Sequence, residues 1–326
     1  MALAFDSPKE TRRQPEGLVW IPGRTFTMGS DHHYPEEAPA HPVTVDGFWI
    51  MEAPVTNRQF KEFVEATGHV TIAEKAPDLK DYPGAKPEML RAGSLVFTQP
   101  KSVDGPDISQ WWSFKFGTNW RRPLGGLNDL RGKLDHPVVH VAYADAKAYA
   151  DWAGLDLPTE AEWELAGRGG LDDVEYAWGG ELAPGGVPMA NTWSGTFPTH
   201  STKPKGRERT SPIRSFPANG YGLYDMIGNV WEWTSDYWST RHQEPADHAC
   251  CIPKNPRGGP EDASYDSRQP AIRIARRVLK GGSHLCARNY CRRYRPAARH
   301  AEPEDTSTSH VGFRCVRRPV NEGQER

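Results

Sequence analysis

The chain has 326 residues, a formal net charge of −2 and 12 tryptophans. That length suits one large domain or two ordinary ones, and the near-neutral balance excludes a general attraction to nucleic acid or an anionic membrane. No apolar run approaches a membrane span, and MALAFDSPKETRRQPEG (1–17) lacks the apolar core of a secretory signal, so a bacterial cytoplasm is the expected location. There are 31 glycines and 29 prolines, where average usage gives about 39 of the two together. This composition resists long helices and favours loops pinned by aromatic anchors. The five cysteines (Cys250, Cys251, Cys286, Cys291 and Cys315) are an odd set gathered late in the chain. They fit reactive or metal-bound thiols better than a secreted disulfide framework.

In chain order, residues 1–16 read as a polar lead-in, and LVWIPGRTFTMG (18–29) and HPVTVDGFWIM (41–51) carry strand signals. In VTNRQFKEFVEATGH, Thr56 is a helix N-cap with Gln59 completing a capping box. Phe60, Phe63 and Val64 form the apolar face, and Gly68 is the stop. Residues 70–125 are mostly turn chemistry, and HPVVHVA (136–142) predicts a strand. YADAKAYADWAG predicts a helix stopped by Gly154, and LPTEAEWELAGRGG one capped by Thr159 and Glu162. Residues 195–275 return to turn chemistry, HVGFRCVRR (310–318) predicts a last strand, and 319–326 form a polar tail. No repeat, low-complexity tract or linker divides the chain. The expected architecture is one α+β domain over 17–318 with little regular secondary structure.

Phosphate-binding, dinucleotide, zinc-protease and nucleophile-elbow motifs are all missing. The arginines of CRRYRPAARH are expected to pair with the nearby Glu302, Glu304 and Asp305. In NGYGLYDMIGNVWEWTSDYW (219–238), Asp225 and Glu232 bracket Gly228-Asn229-Val230. Carboxylates at the ends with carbonyls between them can wrap a hard cation, and turn capping explains the same spacing equally well. Trp231 and Trp233 alternate as core aromatics do.

The segment RVLKGGSHLCARNYCRRYRPAAR (277–299) places Cys286 and Cys291 five positions apart. On a strand that is about 17 Å, with the two side chains on opposite faces. On a helix it is about 140° around the axis. The sulfurs therefore meet only if the chain bends, and Gly281-Gly282 permits bending and close approach of another chain. Inert thiols, a redox disulfide and a two-thiolate site for a soft metal all remain open. Two sulfurs alone suit Cu(I), whereas zinc wants four ligands.

IPGRTFTMGSD, EEAPAHPVTVDGFWI, WWSFKFGTNWRRPLG, DHPVVHVAYADAKAYADWAG, LPTEAEWELAGRGG, NGYGLYDMIGNVWEWTSD, GGSHLCARNYCRRYRPAAR and GFRC occur in that order. With them the chain resembles the formylglycine-generating enzymes, or sulfatase-modifying factors, over about residues 17–318. The paired cysteines are the narrow mark of the active branch. The resemblance implies a compact C-type-lectin-like fold and aerobic oxidation of a cysteine, within Cys-x-Pro-x-Arg of an unfolded sulfatase, to Cα-formylglycine. It further implies Cu(I) between Cys286 and Cys291, dioxygen as co-substrate, and a thioaldehyde that hydrolyses to the aldehyde. By the same resemblance, Ser283 and Tyr290 line an oxygen pocket with Trp231 and Arg293 beside it, and Trp112 packs on the substrate proline. Asp225, Gly228, Val230 and Glu232 match one structural calcium site. A second would begin at Asn191-Thr192 and end on an acid about fourteen positions later. Lys205 stands there instead, in HSTKPKGRER (200–209), so that site is lost or rebuilt with Glu208. His310 replaces the family's usual asparagine near the substrate thiol. A monomer without nucleic-acid or membrane partners is expected. The competing readings are a lectin-like binding module without chemistry, or a related oxidase of a different peptide or small thiol. Cys250 and Cys251 are expected to be spare structural thiols.

Overall fold

A computed structural model describes residues 16–127, 129–242 and 252–319; the Cys250-Cys251 pair and all but the innermost residue of each expected polar end (1–16 and 319–326) lie outside them. In chain order the elements begin with β1 (Leu18–Ile21), β2 (Arg24–Met28), β3 (His41–Val45), β4 (Phe48–Met51), α1 (Asn57–Thr67), β5 (Gly93–Phe97), β6 (Trp112–Phe116), α2 (Tyr143–Trp152) and α3 (Glu160–Gly167). They continue with β7 (Gly195–Thr196), β8 (His200–Ser201), β9 (Trp231–Tyr237), β10 (Arg276–Lys280), β11 (Arg299–Pro303), β12 (Val311–Gly312) and β13 (Val316–Arg317).

The first apolar runs each divide in two, because Pro22-Gly23 and Asp46-Gly47 let two strand pairs cross. A Cβ on Gly23 would sit 2.5 Å from the Gly47 nitrogen. β2 then pairs with β3, while β1 pairs with β4, whose other edge takes β13. The helices follow their capping signals. Gln59 N donates to Thr56 Oγ1 at 3.3 Å while the Gln59 side chain accepts from Thr56 N at 2.9 Å. Thr159 and Glu162 do the same at 3.1 and 2.7 Å. All of α3 is buried.

Two strand expectations and two turn expectations change. Residues 136–142 form only a single bridge, Pro137 to Thr56. His140 turns to φ 61° and ends any extended run, although Val138 and Val141 are still buried in the core. The segment 310–318 splits into β12, parallel to β9, and β13, antiparallel to β4. Two supposed turn regions carry sheet: β5 and β6 form a hairpin with Phe97 opposite Trp112, and β9 is an inner strand of the sheet β11-β10-β9-β12.

Beneath that sheet lies a network of buried charges. Lys280 Nζ, at the end of β10, donates to Glu164 Oε2 at 3.0 Å and to Glu160 Oε1 at 3.4 Å, both on α3. Arg168 holds Glu164 at 2.7 Å, Arg299 holds Glu160 at 2.8 Å, and Arg295 grips Glu37 through two nitrogens at 2.7 and 2.5 Å. Burial alone would raise the Glu164 pKa, but Lys280 and Arg168 outweigh it and hold the carboxyl at about 2. These pairs clamp both flanks of residues 281–298. They also correct an expectation: Arg292, Arg293, Arg295 and Arg299 pair with Glu175, Glu36, Glu37 and Glu160, not with Glu302, Glu304 or Asp305.

Candidate functional site

β10 delivers the chain into Gly281 and Gly282, at φ 90° and 70°. A Cβ on Gly282 would lie 2.8 Å from the Arg293 carbonyl, and one on Gly281 2.9 Å from that of Met226. The space these glycines leave is therefore filled by the chain itself, not by an incoming peptide. Turns follow: Cys286 N donates to Ser283 O at 2.9 Å, and Cys291 N to Ala287 O at 3.0 Å. The bend brings Cys286 Sγ and Cys291 Sγ to 3.2 Å with both thiols free, well beyond the roughly 2.05 Å of a disulfide bond.

The two sulfurs are not equivalent. Burial, then proximity to Cys291, pushes the Cys286 thiol well above its ordinary range. Cys291 is lowered to about 6, first by the Cys286 hydrogen bond and then, against burial, by Arg293. One sulfur is thus a thiolate at neutral pH and the other its proton-bearing partner. Of the three arginines near the pair, only Arg293 acts this way. Arg292 is drawn off to Glu175 at 2.8 Å, and Arg288 is exposed. Arg293 is fixed by Glu36 at 2.5 Å and lies over the Tyr34 ring at 3.9 Å.

Ser283 is fully buried; its N donates to Cys286 Sγ at 3.4 Å and its Oγ accepts from Leu285 N at 3.2 Å. Tyr290 is half exposed, stacked on Phe197 at 4.3 Å and edge-on to Trp111 at 6.1 Å. Phe97, Trp193 and Leu285 complete that aromatic wall, and Trp112 packs against it. Trp112 meets the His310 ring at 4.9 Å, while His310 Nδ1 lies 2.5 Å from Thr308 Oγ1. Burial lowers the His310 pKa to about 3, so it is a neutral imidazole. Trp231 is buried on β9 in the same apolar cluster as Cys286, and it stacks on His300 at 5.6 Å. Buried nitrogens of Trp111, Trp193 and His284 have no hydrogen-bond partner. Tyr34, Glu36, Phe197 and His300 went unseen in the sequence, because no spacing rule links them to the cysteines.

The two expected calcium loops differ from their sequence reading. Glu232 is occupied: Arg314 donates to both its oxygens at 2.7 and 2.8 Å, and Trp163 Nε1 donates at 2.7 Å. The charge assigned to a cation is neutralised by a guanidinium. Asp225 accepts from Arg214 N at 3.0 Å and from Asn229 Nδ2 at 3.2 Å, and burial raises its carboxyl to about 6. At the second loop, Lys205 is exposed and Glu208 accepts from Gly206 N of its own turn at 2.7 Å. Asn191 Oδ1 accepts from the ammonium of Lys203, and Thr192 N donates to Ala190 O at 3.1 Å. Among the described residues, no cluster of three or more His, Cys, Asp or Glu side chains is arranged for a metal. A soft two-sulfur site is a different donor set, and two facing thiols, one of them favoured as a thiolate, supply the kind of donor that Cu(I) accepts. Among the described residues, no helix is long and apolar enough to cross a membrane.

Residues 4–319 match the sulfatase-modifying factor enzyme 1-like domain. The chain is 51% identical over 306 residues to a formylglycine-generating enzyme of Mycobacterium tuberculosis, covering 93% of this chain and 98% of that protein. It is 42% identical to the mouse formylglycine-generating enzyme, covering 92% of this chain and 74% of that one. Its fold aligns with PvdO from Pseudomonas aeruginosa at a TM-score of 0.57 and 23% identity, over 93% of this chain and 94% of that one.

Proposed function

The chain belongs to the family of formylglycine-generating enzymes, and on that premise we propose that it converts a cysteine in a Cys-x-Pro-x-Arg segment of an unfolded sulfatase to Cα-formylglycine by copper-dependent aerobic oxidation. The observation that carries this reading is the thiol pair, 3.2 Å apart and unbonded, in a bent loop against an aromatic wall. Cu(I), when bound by Cys286 and Cys291, would supply a coordination position for the substrate sulfur and a route for electrons to dioxygen.

The residues around the pair have separable tasks. Arg293, fixed by Glu36, favours negative charge on Cys291 Sγ, and the Ser283 amide donates to Cys286 Sγ and fixes its position. Half-exposed Tyr290 and buried Trp231 bound the space beside the sulfurs. Trp112 offers an apolar face for the substrate proline, with neutral His310 beside it. A family asparagine donates a hydrogen bond, and a neutral imidazole does so through whichever nitrogen carries the proton, so the departure at His310 preserves that capacity. The overall reaction balances as RCH2SH plus dioxygen, two protons and two electrons from a thiol reductant, giving RCHO, hydrogen sulfide and water. Calcium would bind through Asp225 and the Gly228 and Val230 carbonyls, with Glu232 joining only on leaving Arg314.

Incubating the copper-loaded protein with a Cys-x-Pro-x-Arg peptide in air tests the reading. A mass loss equal to thiol-to-aldehyde conversion is expected, dependent on copper and oxygen. An unchanged peptide would remove it in favour of a binding module or another substrate.

A further inference from the structure

The loop at Asn191 contains a cation of its own. β7 and β8 form a two-residue-strand hairpin, with Gly195 opposite Ser201. Below it, Thr202 N donates to Ser194 O at 2.8 Å, and the Ser194 and Thr202 hydroxyls meet at 2.6 Å. This ladder returns the chain so that half-buried Lys203 comes alongside the start of the same arm, where its Nζ donates to Asn191 Oδ1.

We propose that the Lys203 ammonium is a built-in replacement for the second structural calcium, fastening the Asn191 arm without a metal. The side-chain oxygen that would face calcium is already bonded to a positive charge. The other face of the same amide is used as well: Asn191 Nδ2 donates to Arg209 O at 3.0 Å, Ser211 Oγ at 3.1 Å and Asn229 Oδ1 at 3.3 Å. The acid expected to close a calcium site is replaced by exposed Lys205, and Glu208 is spent on its own turn. A divalent ion here would meet an ammonium where it needs a carboxylate, so the charge arithmetic opposes it.

What the ammonium fastens bears on the thiol site. Asn191 O accepts from Asn229 N at 2.8 Å, and Asn229 O accepts from His284 N at 3.0 Å, with His284 Nδ1 at 2.8 Å from the same oxygen. Two residues on, Trp193 N donates to Cys286 O at 2.9 Å. The Asn191 arm thus grips the cysteine loop on both sides of Leu285. A covalently attached cation holds that grip at any calcium concentration, whereas a bound ion would release it on dilution. The inference does not rest on the oxidation reaction.

Equilibrium dialysis of the metal-stripped full chain against calcium, with melting curves in calcium and in chelator, tests it. Wild type should take up at most one calcium per chain, and Asp225→Ala none. Lys203→Met should melt lower by about 3 °C or more, equally in calcium and chelator. Lys203→Asp combined with Asp225→Ala should gain one calcium and a melting temperature that rises with it. The proposal fails if Asp225→Ala still binds a calcium that Asn191→Ala abolishes, or if Lys203→Met melts like wild type. Should the Lys203→Asp protein not fold, these two measurements still decide.

Discussion

Residues 277–299 serve two regions built on opposite rules. Toward α3, every charge has its partner: Lys280, Arg295 and Arg299 are buried against Glu160, Glu164 and Glu37. Toward the aromatic wall, a few residues along the same chain, groups are left unfinished. Two thiols face each other unbonded, and the nitrogens of Trp111, Trp193 and His284 are orphaned. Buried polar groups without partners are costly, so they persist only where neighbouring structure holds them. The charge-paired network is the clamp that lets the thiol pocket keep its shape, even though Arg299 Nε within it also lacks a hydrogen-bond partner.

The largest effect should come from breaking the clamp. Lys280→Met strips two buried carboxylates of their shared ammonium and is expected to cost about 3–5 kcal/mol, read by denaturant unfolding. A loss under 1 kcal/mol would show that the network is not the support described here. Breaking the pocket should do the converse. Cys286→Ser or Cys291→Ser should weaken Cu(I) at least ~100-fold, about 2.8 kcal/mol, and abolish turnover while the melting temperature barely moves. Cys315→Ser, also buried, should keep full copper affinity, as measured by competition with a chromophoric chelator. Equal copper loss in all three variants would mean that folding, not ligation, is being read.

Smaller effects sharpen the contrast within the pocket. Trp112→Ala removes an apolar face worth about 1–2 kcal/mol, so KM for the peptide should rise ~10-fold with kcat nearly unchanged. Unchanged kinetics would take Trp112 out of the substrate path. Cys291 should be alkylated with a midpoint below that of an ordinary thiol, faster as pH rises, because the thiolate is the nucleophile. Cys286→Ala deletes the hydrogen bond that favours that thiolate, so the midpoint should move upward; a downward move would reverse the assignment of the two sulfurs. The smallest effect is expected at the Asp225 loop. Chelator should lower the melting temperature by a few degrees at most, and Asp225→Ala should lose that response, since Arg314 already neutralises Glu232.

Which parts of this were legible in the sequence follows from the range of the interactions. α1 and α3 are written locally: Thr56 with Gln59 and Thr159 with Glu162 satisfy orphan amides within three residues. The segment 136–142 has a strand's alternation, but its valines fill the core from irregular backbone, and the left-handed turn at His140 has no local signal. β9 and β10 were missed because their pairing joins residues forty or more positions apart, which no window detects. In the site, motif resemblance supplied both cysteines and most of their neighbours. It could not supply Glu36 for Arg293, over 250 residues away, or the ammonium at Asn191, two positions from the lysine that the spacing pointed to.

The three-stranded sheet β1-β4-β13 places the first and last strands on the two edges of one central strand. The polypeptide therefore enters beside Met51 and leaves beside Trp49 of the same central strand, so both ends lie on one small sheet, an arrangement that suits a domain to insertion into another protein or to re-ligation with new ends. A linker from the end of β13 across β4 to the start of β1, with fresh ends cut near residue 80, would join strands that already flank the same neighbour. Such a permutant should keep both its sheet and its thiol pair. The folded unit is topologically closer to a ring, fastened at β4, than to a line.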